Sequence, residues 1–152
     1  MDSSRAALWL APSVLLSAGL ILGLEARLRT DTHPASPEET VTRFVDNALR
    51  AIPPYEEDGA TARTALDCLT PDARAAVLQS ASASPGSALG EFIAVRDLPD
   101  AGYGVDEIVV SGDTATVTVR FDFHDRTLVR RFELVRAGPD GPWLITNAGE
   151  SD

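Results

Sequence analysis

The sequence predicts an α+β domain: three N-terminal helices packed on one face of a curved antiparallel sheet, preceded by a single transmembrane helix. Three observations carry this. A 19-residue run without charge, residues 6–24, lies near the start. A stripe of apolar residues at helical spacing then follows a Ser-Pro-Glu-Glu start at 36–39. From residue 91 onward the apolar period changes to two, the signature of strands. The 152 residues are 44% hydrophobic and 24% charged, close to globular averages, which excludes wholesale disorder and a coiled-coil rod.

As a helix, residues 6–24 would reach about 28 Å, near the roughly 30 Å hydrocarbon core of a bilayer. Trp9 sits near one end, Arg5, Arg27 and Arg29 bracket the run, and Pro12 falls in the first turns, where a missing amide costs least. Three readings compete: an uncleaved anchor, a cleaved signal peptide and a buried helix of a soluble protein. Small residues before a cleavage point are missing, which weighs against the signal, and the run is apolar on all sides, which weighs against the soluble helix. An uncleaved single-pass anchor is therefore expected, with the folded part outside the cytoplasm; secretion after cleavage is the alternative. Residues 1–29 form the anchor, 30–36 a stiff polar linker containing His33 and Pro34, 37–148 the domain and 149–152 a tail.

In the first helix Ser36 caps, Pro37 takes the first helical position and Glu39 returns a hydrogen bond to the cap. Val41, Phe44, Val45, Ala48, Leu49 and Ile52 make one continuous stripe, and Pro53-Pro54 end it. An acidic loop, 55–59, leads to a weaker helix over 60–69 with Ala65, Leu66 and Leu69 inward. Thr70-Pro71-Asp72 repeats the capping logic and opens a third helix to about Ser80. The SASASPGS stretch at 80–87 reads as a loop.

Strands are expected around Phe92, Ile93 and Val95, then at 105–110, 114–123, 127–137 and 143–147, the last four joined by short antiparallel turns. A Gly112-Asp113 turn pairs Ile108 with Val117 and Val110 with Ala115. An Asp125-Arg126 turn pairs Phe123 with Leu128 and Phe121 with Arg130. A four-residue loop at 138–141 pairs Leu134 with Ile145 and Arg136 with Trp143. One face then gathers nearly every large apolar residue, and the other carries Thr116, Thr118, Arg120, Asp122, Arg131 and Glu133, with Val129 and Val135 partly exposed there.

The order of elements, the Leu-Thr-Pro-Asp start at 69–72, the Gly-Asp-Thr-Ala-Thr-Val strand at 112–117 and the closing Gly-Pro-Trp-Leu-Ile at 141–145 resemble the nuclear-transport-factor-2-like superfamily. The likeness is greatest to small bacterial members that follow an N-terminal membrane segment, and it spans residues 36–148. It implies a ketosteroid-isomerase-like cone whose apolar interior can hold a ligand, and sheet-face dimers.

Charge narrows the functions. The net charge of −10 argues against binding a nucleic acid. All 13 bases are arginine, so no lysine is present for Schiff-base chemistry or a phosphate loop. A lone cysteine, Cys68, can form neither an internal disulfide nor a thiolate cluster and reads as a small buried hydrophobe. Asp122, His124 and Asp125 cluster at a hairpin tip and read as a solvated turn. Arg136 is expected to stack on Trp143. No acid–base pair falls inside the cone, so no catalytic residue, metal or cofactor is assigned. The favoured reading is a membrane-tethered, non-enzymatic binding domain in the bacterial cell envelope, its interaction face made by Arg120, Val129, Arg131 and Val135. That face would meet an envelope protein or a second copy of the chain as a homodimer. The competing reading is a small-molecule site or isomerase-type enzyme in the cone, with Arg130 at its mouth and Phe121, Trp143 and Tyr55 as ligand contacts.

Overall fold

In the computed structural model of the chain the described residues are 36–54, 59–80 and 84–150, within one compact unit spanning His33–Asp152. Helix α1, Pro37–Ala51, begins with the full capping box: Glu39 N–H donates to Ser36 Oγ, and Ser36 N–H donates to the Glu39 carboxylate, both at 3.1 Å. Helices α2 (Gly59–Leu66), α3 (Pro71–Ser80) and α4 (Pro85–Ile93) follow. Strands β1 (Tyr103–Ser111), β2 (Thr114–Asp122), β3 (Thr127–Arg136) and β4 (Trp143–Glu150) form an antiparallel meander in chain order.

This corrects the expected fold class in several respects. Among the described residues there are four helices and not three, and four strands and not five. Phe92 and Ile93 end helix α4 instead of forming a strand. The physical reason is a second Ser-Pro start: Ser84 Oγ accepts from Ser87 N–H at 3.2 Å, Pro85 takes the first helical position, and Leu89 and Ile93 stack one turn apart. Two glycines let this helix dock closely. A Cβ on Gly86 would overlap the Ala51 carbonyl, and one on Gly90 would crowd the Val95 carbonyl. Nor are the first three helices the layer over the sheet, because α2 packs chiefly on α1 and α4. Phe44 of α1 meets Phe132 of β3 and Phe92 of α4 edge to face, each at 5.9 Å between ring centres.

No helix among the described residues is long and apolar enough to cross a membrane. The expected transmembrane helix, and the single-pass membrane or secreted placement built on it, rested on residues 6–24, which lie outside the described residues. Those expectations are withdrawn, together with the cell-envelope setting.

The outer two hairpins pair as expected, with Ile108 opposite Val117, Val110 opposite Ala115, Leu134 opposite Ile145 and Arg136 opposite Trp143. The middle hairpin shifts by two: Phe121 faces Leu128 and Val119 faces Arg130. Its turn is His124-Asp125, closed by Phe123 N–H donating to Arg126 O at 2.9 Å. The Asp100 carboxylate fixes it by accepting from His124 N–H at 2.7 Å. A shift of two leaves every side chain on its own face. Val117, Val119, Phe121, Phe132, Leu134 and Ile145 are fully buried beneath the helices.

Candidate functional site

Arg130, expected at the mouth of a hollow cone, lies inside the packed layer with 7% of its surface exposed. Its Nη1 stands 3.4 Å from Glu150 Oε1 across the β3–β4 pair, and its buried Nε has no partner among the described residues. Phe121 is fully buried, with the Tyr103 ring centre 6.0 Å away. Trp143 lies under the Arg136 guanidinium, 5.9 Å from ring centre to Cζ, and its carbonyl accepts from Thr40 Oγ1 at 3.4 Å. Tyr55 lies outside the described residues. Among the described residues, three surface clefts are lined elsewhere: about 230 Å³ between Ile52 and Val95, about 410 Å³ along α1 by Asp46 and Arg50, and about 530 Å³ beside Arg96 and Arg126. None of these three is lined by Arg130, Phe121 or Trp143. Arg130 instead reaches across to the exposed Glu150 carboxylate and stands at the mouth of none of these three.

Tyr103, Cys68 and Asp122 are each held by their surroundings. Tyr103 Oη donates to Asp46 Oδ1 at 2.7 Å; burial first, then this carboxylate, push its phenol well above the usual range. Burial pushes the Cys68 thiol up to about 11, the reverse of an activated nucleophile. Asp122 is engaged by Arg120 Nε at 3.3 Å and Thr127 Oγ1 at 3.2 Å, and His124 is exposed at the turn. Among the described residues no His, Cys, Asp and Glu group is arranged to hold a metal.

The opposite sheet face is chemically different. Arg120 and Val129 are directly paired across β2 and β3, Thr118 faces Arg131, and Thr114 faces Val135, which in turn faces Leu144. All four expected interaction residues, Arg120, Val129, Arg131 and Val135, therefore share this face. Arg120, Arg131 and Glu133 are exposed, while Val129, Val135 and Leu144 are half-buried. Arg120 is oriented by Asp122 and, at 3.9 Å, by Asp106.

The two edges of the sheet also differ. At β4, Ile145 N–H donates to Cys68 O at 2.8 Å and Ile145 O accepts from Thr70 N–H at 2.9 Å, so the chain covers that edge at Ile145. At β1, no backbone hydrogen bond reaches the outer edge among the described residues. Ile108, Val109 and Val110 are 40%, 52% and 54% exposed there. Sequence reasoning assigned Ile108 and Val110 to the core. The strand period put them on the correct face, but nothing in that period tells how far the helices reach.

No protein family and no curated protein matches the chain. A solved structure does: a chain of the crystal structure of the type VI native effector-immunity complex Tae3-Tai3 from Ralstonia pickettii. Identity is 20%, the TM-score is 0.55, and the match covers 78% of this chain and 98% of that one. The similarity is one of fold. It overturns the resemblance to the nuclear-transport-factor-2-like superfamily, and with it the membrane-tethered cone domain inferred from that resemblance.

Proposed function

We propose that this domain works by binding a second protein on the helix-free face of its sheet, as one half of a two-protein complex of the effector–immunity kind. The observation that carries this reading is the make-up of that face. Its middle carries Thr116, Thr118, Arg131 and Glu133, flanked along β3 by half-buried Val129 next to Arg120 at one end and the half-buried Val135–Leu144 pair at the other. Exposed arginines set between apolar side chains suit a protein interface, where arginine is enriched over the rest of the surface. The fold's likeness to a chain from an effector–immunity complex supports the class of partner. Charge supports its sign: at −10, the chain attracts a partner of net positive charge and repels acidic ones.

The test is a photo-crosslinking residue at position 131, with position 79 on α3 as comparator, in the cells that make the chain. One defined second protein is expected from position 131 alone. Val129→Glu with Val135→Glu should reduce that product at least tenfold while the domain stays folded. Equal, diffuse labelling from both positions would overturn the reading.

A further inference from the structure

We infer that the β1 edge pairs with the β1 edge of a second copy, antiparallel about Val109, joining two four-stranded sheets into one of eight strands. This goes beyond the proposed partner face and stands on different residues.

Natural sheets protect an open edge with bulges and charges. Here the protection covers only the first half of β1. The register shift between Val105 and Glu107 makes a bulge at Asp106, and Arg120 ties down the Asp106 carboxylate. Beyond it, residues 108–110 carry no charge, pair regularly with β2, and are exposed on both faces. The other edge, by contrast, is bridged at Ile145 by Cys68 and Thr70.

The sequence of β1 selects a second copy, because self-pairing must keep its acids apart. A two-fold axis perpendicular to the sheet puts residues of like facing opposite one another, so the centre falls on a residue. Centred on Val109, Ile108 meets Val110 of the other copy, Val109 meets its equivalent, Glu107 meets Ser111 and Asp106 meets Gly112. Centred on Ile108, Glu107 would face Val109 and Asp106 would face Val110. Centred on Val110, Glu107 would face Asp113, a like-charge pair that destabilises a ladder. Only the Val109 register pairs apolar with apolar and leaves every acid opposite a neutral residue. It also prolongs the packed face: Ala115, Val110, Ile108 of the second copy and its Val117 become one apolar row, covering surface that the helices leave open. Few residues take part, so the dimer is weak and depends on concentration.

Cross-linking of the full chain tests the register. The native Cys68 is buried, so a new thiol reports alone. Val109→Cys should form a disulfide-linked dimer on mild oxidation, because directly opposed residues in a ladder lie within disulfide reach. Thr116→Cys, on the same face one strand inward, should link at least tenfold more slowly. A mixture of Glu107→Cys and Ser111→Cys chains should link, and neither alone. In sedimentation velocity, Val109→Asp should weaken association at least tenfold with an unchanged unfolding midpoint, since Val109 is exposed. A chain that stays monomeric at every concentration overturns the inference, as would be seen if another part of the same chain covered the edge. Linkage at 109 no faster than at 116 overturns it equally.

Discussion

Arg130 is the residue whose energetics are least obvious. Burying a guanidinium costs several kcal/mol, and a single 3.4 Å contact to exposed Glu150 with an unpartnered Nε offsets that poorly. Arg130→Met keeps the length of the side chain and removes the charge. Urea unfolding is expected to show equal stability or a gain of about 1–2 kcal/mol; a loss beyond about 2 kcal/mol would mean the ion pair carries net weight. Two other residues set the alkaline limit. Burial raises Cys68 from 9.0 to about 11, and burial with Asp46 raises Tyr103 above 10.0. Both groups are more readily deprotonated in the unfolded chain. Their contribution is therefore intact below about pH 9 and lost as pH climbs through 9–11 for the thiol and higher for the phenol. Thermal midpoints should fall from about pH 8.5 to 10.5, and less steeply in a Cys68→Ala, Tyr103→Phe double variant. Parallel curves would show that neither group matters.

At the scale of elements, the start of α1 and the seating of α4 are the places where single atoms decide. Ser36→Ala removes the cap from Glu39 N–H and should cost about 1 kcal/mol. Gly86→Ala places a methyl against the Ala51 carbonyl and should cost about 2 kcal/mol through overpacking, although alanine is the better helix former. Equal chemical-denaturation midpoints for Gly86→Ala and the unchanged chain would mean that α4 does not seat there. These elements also mark what the sequence reveals. The α1 capping box was legible because every part lies within four residues, and two of the three turns were legible because Gly112 and the 138–141 loop leave little choice. Helix α4 was missed because Ser84-Pro85 is buried in a small-residue stretch that resembles a loop, and because four residues, 92–95, fit either period. The position of the middle turn was missed because the residue that fixes it, Asp100, is distant in sequence. On the candidate site, the alternation of β2 and β3 placed Arg120, Val129, Arg131 and Val135 on one face. The openness of β1 was not readable, since it depends on where the helices stop.

For the whole molecule, net charge gives the two proposed associations opposite responses to salt. Each copy carries −10, so bringing two β1 edges together works against mutual repulsion, and screening relieves it. A partner of net positive charge is drawn in by the same field, and screening weakens that attraction and slows its arrival. Raising sodium chloride from about 0.02 M to 0.5 M shortens the Debye length from roughly 20 Å to roughly 4 Å. Self-association of the full chain, read by sedimentation, should strengthen by several-fold over that range. The yield of the crosslink from position 131 to its second protein should fall. If both rise with salt, apolar contact outweighs charge at both surfaces and the expected sign of the partner's charge is wrong. If both fall, the β1 pairing is held by charges that the Val109 register does not contain, and the self-pairing must be rebuilt around a different centre.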